Sequence, residues 1–427
     1  MKRVAIATLG CKTNQFESAS MIEQFEQAGY RVVPFTQTAD IYVVNSCTVT
    51  AKTDAETRRL IRRARRLNPD ARIVATGCYA QVAPGELEQM PEVDSVLGNR
   101  EKQSIAGLVE SGISLVSDIA AETGTGTLGL ESFAEHTRAF LQVQNGCDSF
   151  CAYCIVPYAR GRSRSVPVEE ALQGVRHLAA NGYKEVVLTG IHLGAYGLDL
   201  EPGLSLTELV RRIDAERTVP RLRIGSVEPN ELTDELLALM AASIIFCPHL
   251  HLPLQSGSDT VLQRMGRRYD AAFFRDLAAR IHKTLPHAFI GADVIAGFPG
   301  ESEVEFLETV QLIRDLPFSD LHVFPYSRRS GTRAADLPGQ IPPQVIKQRA
   351  EQLRTIAAEK KAVFLARQVG AELQVLVQGF VESTGICSGI SRNYVTVKFP
   401  GNKNMINTEQ TVKIEAIDGE SARGMAE

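Results

Sequence analysis

The sequence predicts an α/β protein built from three parts: an N-terminal parallel α/β sandwich domain, a central partial (β/α)6 barrel and a small C-terminal all-β barrel. Short apolar runs alternate with amphipathic stretches through the first two parts, and this alternation produces parallel sheets. After residue 365 the pattern changes to short alternating strands with Gly and Asn turns, which is typical of a small barrel or sandwich. A Gly- and Thr-rich stretch separates the first two parts. The predicted division is therefore residues 1–116, a linker at 117–137, residues 138–365 and residues 366–427.

The predicted N-terminal strands share one pattern. They cover residues 4–9, 41–44 and 73–75, and each leads within a few residues to a cysteine: Cys11, Cys47 or Cys78. Helices predicted at 17–28 and 54–67 separate them. Because the carboxyl ends of parallel strands share one edge of a sheet, the three cysteines are candidates for a joint site. A lone cysteine at a strand end is more often a small buried hydrophobic residue, so three structural thiols remain the alternative.

The central elements follow the same alternation. Strands are predicted at 139–143, 185–188, 222–224, 249–252, 290–296 and 321–324, and amphipathic helices at 168–180, 206–213, 233–242, 271–283 and 303–314. About six such units indicate an incomplete barrel. A helix at 344–365 then leads to strands at 372–378, 393–398 and 410–416.

Composition narrows the class of protein. With 427 residues and 44% hydrophobic residues, the chain is long enough for several domains with substantial cores. A formal charge of -4 excludes a generally basic nucleic-acid coat protein, so any RNA contact must come from local basic patches. Eight cysteines are too few for a disulfide scaffold and indicate a reducing compartment, which we expect to be the cytoplasm. The apolar start is too short for a secretion signal, and no segment is long enough to cross a membrane.

The most informative motif is the triad Cys147, Cys151 and Cys154, in which three and then two residues separate the thiols. Iron–sulfur clusters are normally held by four thiolates, so a compact triad predicts a four-iron cluster with one iron open to a substrate or cofactor. The alternative is a zinc knuckle or a disulfide pair. Zinc sites usually combine two separated Cys/His pairs, and neither a second pair nor a His partner follows here.

This triad resembles the signature of the radical S-adenosylmethionine superfamily, in which S-adenosylmethionine chelates the open iron. Tyr153, just before the third cysteine, matches the aromatic residue that packs on the adenine. Together with the three N-terminal cysteines and the small C-terminal barrel, the triad resembles the methylthiotransferases of that superfamily over nearly the whole chain. The resemblance implies that Cys11, Cys47 and Cys78 hold an auxiliary cluster and that the last domain is a TRAM module, a small RNA-binding barrel.

Members of this family act on threonylcarbamoyladenosine in tRNA, on isopentenyladenosine in tRNA or on an aspartate of a ribosomal protein. The strings at residues 9–15, 45–50 and 155–161 look most like the first group. The expected function is therefore the addition of a 2-methylthio group to N6-threonylcarbamoyladenosine at position 37 of tRNA, with the other two substrates as alternatives.

The resemblance also implies the cofactors and partners. Two [4Fe-4S] clusters and S-adenosylmethionine would carry the chemistry, so no side chain is expected to act as a catalytic acid or base. This suits an adenine C2–H, which offers acid–base catalysis little to act on. The expected partners are tRNA, an electron donor of the flavodoxin or ferredoxin type and a sulfur source, and we expect a monomer that does not bind a membrane.

Further candidate contacts follow from position along the barrel strands. Residues after strand ends should face the cofactor, and these are Gly190, Ser226, Glu228, Gln255 and Ser256. Ordinary turn chemistry is the alternative for them. The basic loop containing Arg328, Arg329 and Arg333 is placed to bind anticodon phosphates or the threonyl carboxylate of the substrate.

A different class of function stays open at this point. An RNA-binding or cluster-carrier protein could hold both cysteine sets without catalysing a reaction. The open triad followed by strand–helix repeats disfavours that alternative, and reductive cleavage of S-adenosylmethionine would distinguish the two.

Overall fold

The N-terminal part is a five-stranded parallel sheet. In the computed structural model, which describes residues 1–124 and 137–427, its strand order is β2-β1-β3-β4-β5. The central strand β3 is buried along its whole length because helices cover both faces of the sheet. The strands are β1 Arg3–Thr8, β2 Arg31–Val32, β3 Ile41–Ser46, β4 Arg72–Gly77 and β5 Ser95–Val96. The helices are α1 Lys12–Gln27, α2 Ala51–Leu67, α3 Cys78–Val82, α4 Pro84–Glu88 and α5 Ile105–Leu108.

The central part is a partial barrel of six parallel strands, as predicted. They pair in two groups of three, and isolated parallel bridges join the groups, from Leu222 to Phe246 and from Ser226 to His251. The barrel strands are β6 Arg138–Gln142, β9 Glu185–Thr189, β10 Arg221–Ile224, β11 His249–Gln255, β12 Phe289–Ala296 and β13 Asp320–Pro325, and a short hairpin is formed by β7 Gln144–Asn145 and β8 Arg164–Ser165.

Seven of the eight helices of the central part carry apolar faces that cover the barrel, and the short helix at 156–160 does not. Several begin at the residues that favour helix starts: the side chains of Ser205, Thr233, Asp270 and Ser302 each accept a hydrogen bond from the third residue of the helix that follows. The helices are α6 Val156–Arg160, α7 Val168–Ala180, α8 Leu206–Glu216, α9 Asp234–Ala242, α10 Asp259–Met265, α11 Ala271–Thr284, α12 Glu303–Asp315 and α13 Pro343–Ala366.

The C-terminal part is a closed five-stranded barrel of order β14-β15-β16-β18-β17. Val375, Val397, Phe399 and Val412 are among the residues that fill its interior. Three of the five strands agree with the sequence prediction, and the two that it missed are β15 and β18. The strands are β14 Glu372–Val381, β15 Ile386–Ser391, β16 Thr396–Pro400, β17 Glu409–Asp418 and β18 Ser421–Ala426.

Two further points concern the chain as a whole. Most of the predicted linker, residues 125–136, lies outside the described residues, and the domain limits stay a prediction. None of the described helices combines the length and the apolar character needed to span a membrane.

Candidate functional site: two cysteine triads on one cavity

One large cavity of about 1620 Å³ collects most of the predicted site residues. All six predicted cluster cysteines line it, and so do residues of the N-terminal sheet, the central barrel and the C-terminal barrel. It exceeds the usual range for a single small ligand, which is roughly 300–1,000 Å³. The cavity therefore has room for a cofactor and part of a larger substrate together.

The three N-terminal cysteines meet at one edge of the sheet, as their positions after strands predicted. Cys11 directly precedes α1, Cys47 follows β3, and Cys78 is the first residue of α3. Strands β1, β3 and β4 are neighbours and parallel, and the chain changes direction across the sheet between β1 and β3, where ligands of such sheets bind. A Cβ on Gly10 would lie 2.7 Å from the Cβ of Cys47. Only glycine therefore allows these two loops to approach so closely.

The thiols of this first group form a soft donor set. Burial, together with the neighbouring Cys78 and Cys11, raises the pKa of Cys47 to about 11, so at neutral pH its thiolate needs a cation. Arg160 approaches the same group, with its Nε 3.2 Å from Cys78 Sγ. Arg160 also binds the buried Glu17, whose other partner is Lys102. One carboxylate faces two cations here, so an anionic Cys78 thiolate would balance the second charge.

The second triad lies on the loop after β7. Gly146 has φ +74°, and a Cβ there would lie 1.7 Å from the carbonyl oxygen of Arg162, so the loop requires glycine. His192 Nδ1 lies 3.5 Å from Cys147 Sγ, and its Nε2 lies 2.7 Å from Glu231 Oε1. Burial of Cys147 opposes ionisation, but the contact with His192 outweighs it and lowers the pKa of this thiol.

The remaining two cysteines of the second triad are partly buried, as Cys147 is. Burial raises the pKa of Cys154 to about 12. Arg267 Nη1 lies 3.3 Å from Cys151 Sγ and 3.4 Å from the hydroxyl of Tyr153, and the same guanidinium forms an ion pair with Glu228. A cation bound by these thiols would offset the cost of ionising Cys154.

Tyr153 lines the cavity, and so do four of the five cofactor contacts predicted from strand ends, namely Gly190, Ser226, Glu228 and Gln255. Gln255 has a left-handed backbone, φ +64°, beside a register shift in β11. Ser256 does not line the cavity. Its hydroxyl lies 3.1 Å from Thr309 Oγ1 in α12, because the chain turns toward that helix after the register shift. The structure thus separates Ser256 from the other four residues.

The three predicted substrate arginines divide in a similar way. Arg329 is nearly buried and is held by Asp54 Oδ2 at 2.6 Å and by Thr48 Oγ1 at 2.5 Å, so it joins the N-terminal sheet to the barrel. Arg333 is exposed and donates to the carbonyl of Phe150 in the triad loop. Arg328 is exposed. None of the three lines the cavity within the described residues.

Sequence reasoning missed several polar residues that line the cavity. Lys12 follows a cluster cysteine, and burial together with Arg138 and Arg223 lowers the pKa of its ammonium to about 8. Polar residues interrupt the apolar barrel strands: His249, His251, Asp293 and His322 all face the same space. These residues could have been found as charged or imidazole side chains within otherwise apolar strands. Such side chains are rarely buried in a core without a partner, so they indicate a polar lumen.

Comparison with known proteins agrees with this architecture. The model of "Uncharacterized protein family UPF0004" matches residues 3–98, and that of the "Radical SAM superfamily" matches residues 141–313. The solved structure of the radical S-adenosylmethionine methyltransferase TsrM from Kitasatospora setae superposes with a TM-score of 0.56 at 16% identity, covering 78% of this chain and 77% of that chain. At such identity the likeness shows the fold alone.

Two curated relatives match almost end to end. Threonylcarbamoyladenosine tRNA methylthiotransferase MtaB of Bacillus subtilis (strain 168) is 40% identical over 97% of this chain and 94% of its own length. The tRNA-2-methylthio-N(6)-dimethylallyladenosine synthase of Desulfitobacterium hafniense (strain Y51) is 33% identical over 97% of this chain and 95% of its own length.

The barrel, the open cysteine triad and the matching superfamily model define the class, a radical S-adenosylmethionine enzyme. The B. subtilis protein and four relatives that share its name are 34–40% identical over 88–98% of the chain. The chain belongs to the family of threonylcarbamoyladenosine tRNA methylthiotransferases.

S-adenosylmethionine and [4Fe-4S] clusters are the cofactors of this family, as the sequence predicted. The donor sets fit them, because the two triads bring six thiols to the cavity in groups of three, and no seventh cysteine lines it within the described residues. The two remaining cysteines, Cys247 and Cys387, are buried elsewhere.

Proposed function

We propose that the protein adds a 2-methylthio group to N6-threonylcarbamoyladenosine at position 37 of tRNA, next to the anticodon. One observation carries this proposal: both cysteine triads line the same cavity, although they lie on different sheets. A methylthiotransferase needs a sulfur donor site and a radical-generating site within reach of one substrate carbon. A cluster-carrier protein would not need them to face each other across a space large enough for a nucleotide.

The residues divide between the two sites as follows. Cys147, Cys151 and Cys154 would hold the cluster that binds S-adenosylmethionine. Cys11, Cys47 and Cys78 would hold the auxiliary cluster. When bound, these groups supply the radical and the methylated sulfur that an unactivated adenine C2–H requires.

The protein's own groups orient the reactants and exclude water. Tyr153 lies within the second triad and would pack against the adenine of the cofactor, and Arg267 holds the Tyr153 hydroxyl on one side and Glu228 on the other. Gly190, Ser226 and Gln255 border the same cavity. Cys154 and Tyr153 are partly buried in the wall of the cavity, which limits the access of bulk solvent to the reacting groups.

Contacts with RNA phosphates, both at the cavity and outside it, would come from exposed cations. Arg328 and Arg333 lie on the loop after β13, and Lys398 of the C-terminal barrel lines the cavity. Such groups neutralise phosphates and position the RNA without reading its sequence. Arg329 is already paired with Asp54, so its role would be to hold the loop.

The proposed reaction also requires an electron donor and a source of sulfur. A flavodoxin- or ferredoxin-type protein would supply the electron, and a separate source would renew the sulfur. We expect a monomer, since one chain supplies all six cysteines of the two sites, and a cytoplasmic location, since all eight cysteines are free thiols.

Nucleoside mass spectrometry of bulk tRNA tests the function directly. Deletion of the gene should abolish 2-methylthio-N6-threonylcarbamoyladenosine, and the intact gene should restore it. If that nucleoside persisted and 2-methylthio-isopentenyladenosine were lost, the substrate would be isopentenyladenosine instead. If neither nucleoside changed, the ribosomal-protein aspartate would be tested next.

The division of the cysteines has its own test. Cys47→Ala and Cys151→Ala should each lower the iron content of the anaerobically reconstituted protein by about four atoms per chain, while Cys387→Ala should leave it unchanged. Cys151→Ala should also abolish cleavage of S-adenosylmethionine. An unchanged iron content in Cys47→Ala would contradict the auxiliary site.

A further inference from the structure

A largely buried ion-pair network beside the cavity, against the cavity residue Tyr394, carries more positive than negative charge. Arg138, Arg221 and Arg223 all bind the single carboxylate of Glu185, at 2.8–2.9 Å. Arg221 and Arg392 share a second carboxylate, Glu409, which completes the network among the described residues. Lys12 enters the same field, because its charge interacts with Arg138, Arg223 and Glu185. Five cationic side chains therefore face two carboxylates.

Two groups that border the cavity here, the partly buried Lys12 and the buried His249, lack an ion-pair or hydrogen-bond partner among the described residues. Lys12 forms no ion pair in the part of the chain that the structure describes, and its recorded neighbour is the ring of Phe140, 5.9 Å from its Nζ. His249 is 3% exposed, and its buried Nδ1 has no hydrogen-bond partner. A buried polar atom without a partner costs free energy unless a ligand satisfies it. Both residues line the cavity.

The position of Lys12 relates this charge to the proposed reaction. Lys12 follows Cys11, a ligand of the site that would present the sulfur, and α1 packs against the edge strand β6 of the barrel. The carbon that receives the sulfur, C2 of adenine, and the carbon that bears N6 are both bonded to the ring nitrogen N1. A substituent on N6 therefore lies on the same edge of the base as the carbon that reacts.

We infer that Lys12 and His249 form an anion site that binds the carboxylate of the amino-acid substituent on the substrate adenine. This inference rests on the proposed function and assigns the residues that recognise the N6 substituent of the substrate. The ammonium of Lys12 pairs with the carboxylate, His249 donates from Nδ1, and the arginines around Glu185 supply the surrounding positive potential. An adenine with an apolar N6 substituent gains none of these contacts and leaves Lys12 unpaired.

The test compares two substrates that differ only in this charge. One anticodon stem-loop carries N6-threonylcarbamoyladenosine, and the other carries its methyl ester. Binding to the reconstituted holoprotein should be about tenfold tighter for the acid than for the ester. Lys12→Met should remove this difference by weakening binding of the acid about tenfold, with little change for the ester. Lys12→Arg should keep most of the difference because it keeps the charge.

Lys52→Met is the matched control. Lys52 borders the same cavity but is exposed, so its loss should change the affinities for acid and ester by the same factor. Iron content measured on every variant shows that Cys11 still holds its cluster. If Lys12→Met does not take up its clusters, the affinities of the native protein and of Lys12→Arg for acid and ester still show whether the protein distinguishes the carboxylate from its ester.

Several results would overturn the inference. Equal affinity of the native protein for acid and ester would show that the carboxylate does not contribute to binding. An equal loss for both ligands in Lys12→Met would assign Lys12 to a phosphate or to structure. A third stem-loop, which carries unmodified adenosine, distinguishes failure of the anion site from failure of the proposed substrate. If the native protein binds the acid and the ester no more tightly than unmodified adenosine, the proposed substrate is wrong as well.

Discussion

Arg160 and Glu17 form a buried ion pair that joins the central barrel to the N-terminal sheet. Arg160 ends α6 and Glu17 lies in α1, and Arg160 Nη2 is 3.1 Å from Glu17 Oε2. Lys102 Nζ binds the same carboxylate at 2.5 Å. All three side chains are essentially inaccessible to solvent. Because Arg160 also contacts Cys78, the pair couples the relative position of the two domains to the auxiliary site.

Glu17→Gln should lower the free energy of unfolding by about 3 kcal/mol, since it leaves two buried cations without their carboxylate. Lys102→Met should cost less, because Arg160 continues to neutralise Glu17. Urea unfolding of the anaerobic protein measures both changes. Glu26→Gln, on the exposed side of the same helix, should stay within about 0.5 kcal/mol of the native protein. A larger loss in Lys102→Met than in Glu17→Gln would contradict this account of the charges.

The strands and helices that were predicted correctly are those whose burial is periodic. The limits of α7 agree to the residue, and all six barrel strands were found, because parallel strands covered on both faces give continuous apolar runs. Strand β15 was missed since its sequence, ICSGIS, contains serine and glycine. Its pairing with β14 and β16, which closure of the barrel imposes, decides its structure.

The site was predictable to the extent that its residues follow strands. The six cysteines met this condition, and so did Glu228 and Ser226. The Arg160–Glu17 pair did not, because the two residues are separated by 143 positions and only the docking of two domains brings them together. The prediction that Ser256 faces the cofactor missed a local feature. The register shift in β11 directs its side chain toward α12, and the sequence gives no clear indication of such a shift.

The two serines near β10 and β11 should differ in their effect on the cofactor. Ser226 is exposed and borders the cavity, whereas Ser256 is buried against Thr309. Ser226→Ala should weaken binding of S-adenosylmethionine to the reconstituted protein about threefold to tenfold, the effect of one lost hydrogen bond. Ser256→Ala should leave that affinity unchanged and slightly lower stability. Equilibrium dialysis measures both, and equal affinities in the two variants would remove Ser226 from the cofactor site.

Arg328 and Arg329 are neighbours in sequence but should give opposite results. Arg329→Ala leaves Asp54, which is 10% exposed, without its cation, so we expect a loss of about 2–3 kcal/mol in unfolding free energy. Arg328 is exposed and forms no ion pair within the described residues, so Arg328→Ala should change stability by less than about 0.5 kcal/mol. If it contacts a phosphate, its loss weakens tRNA binding and lowers the salt dependence of the affinity by about one ion. Unchanged tRNA affinity in Arg328→Ala would exclude that contact.

The pH dependence of stability should reveal the cluster of His322, Asp293 and His251 inside the cavity. Asp293 Oδ1 lies 2.8 Å from His251 Nε2 and 3.4 Å from His322 Nδ1. The hydrogen bond to Asp293 raises the pKa of His322 against the opposing effect of burial. Burial opposes ionisation of Asp293, but its bonds to the two imidazoles outweigh this and hold its pKa well below the usual range. Asp293 is therefore ionised and His322 protonated in mildly acidic solution.

The sign of the effect follows from these two shifts. A histidine whose pKa is raised on folding stabilises the protein fully below its unfolded pKa of about 6.5, and this stabilisation disappears as the pH rises through the folded value. A carboxylate with a lowered pKa stabilises above about pH 4. His322→Gln should therefore reduce stability at pH 5.5 and much less at pH 8.5. Because the His322 side chain is 61% exposed, water screens the pair, and the loss at pH 5.5 should be only about 0.5 kcal/mol.

Urea unfolding of native protein and His322→Gln at the two pH values measures the difference. His287→Gln provides the control, since His287 is exposed and has no carboxylate within ion-pair distance among the described side chains; its effect should be the same at both values. A loss in His322→Gln that is equal at pH 5.5 and pH 8.5 would mean that His322 contributes packing rather than charge. The polar lumen would then owe its stability to the bond between His251 and Asp293 alone, because that bond needs no proton beyond the one that a neutral imidazole already carries.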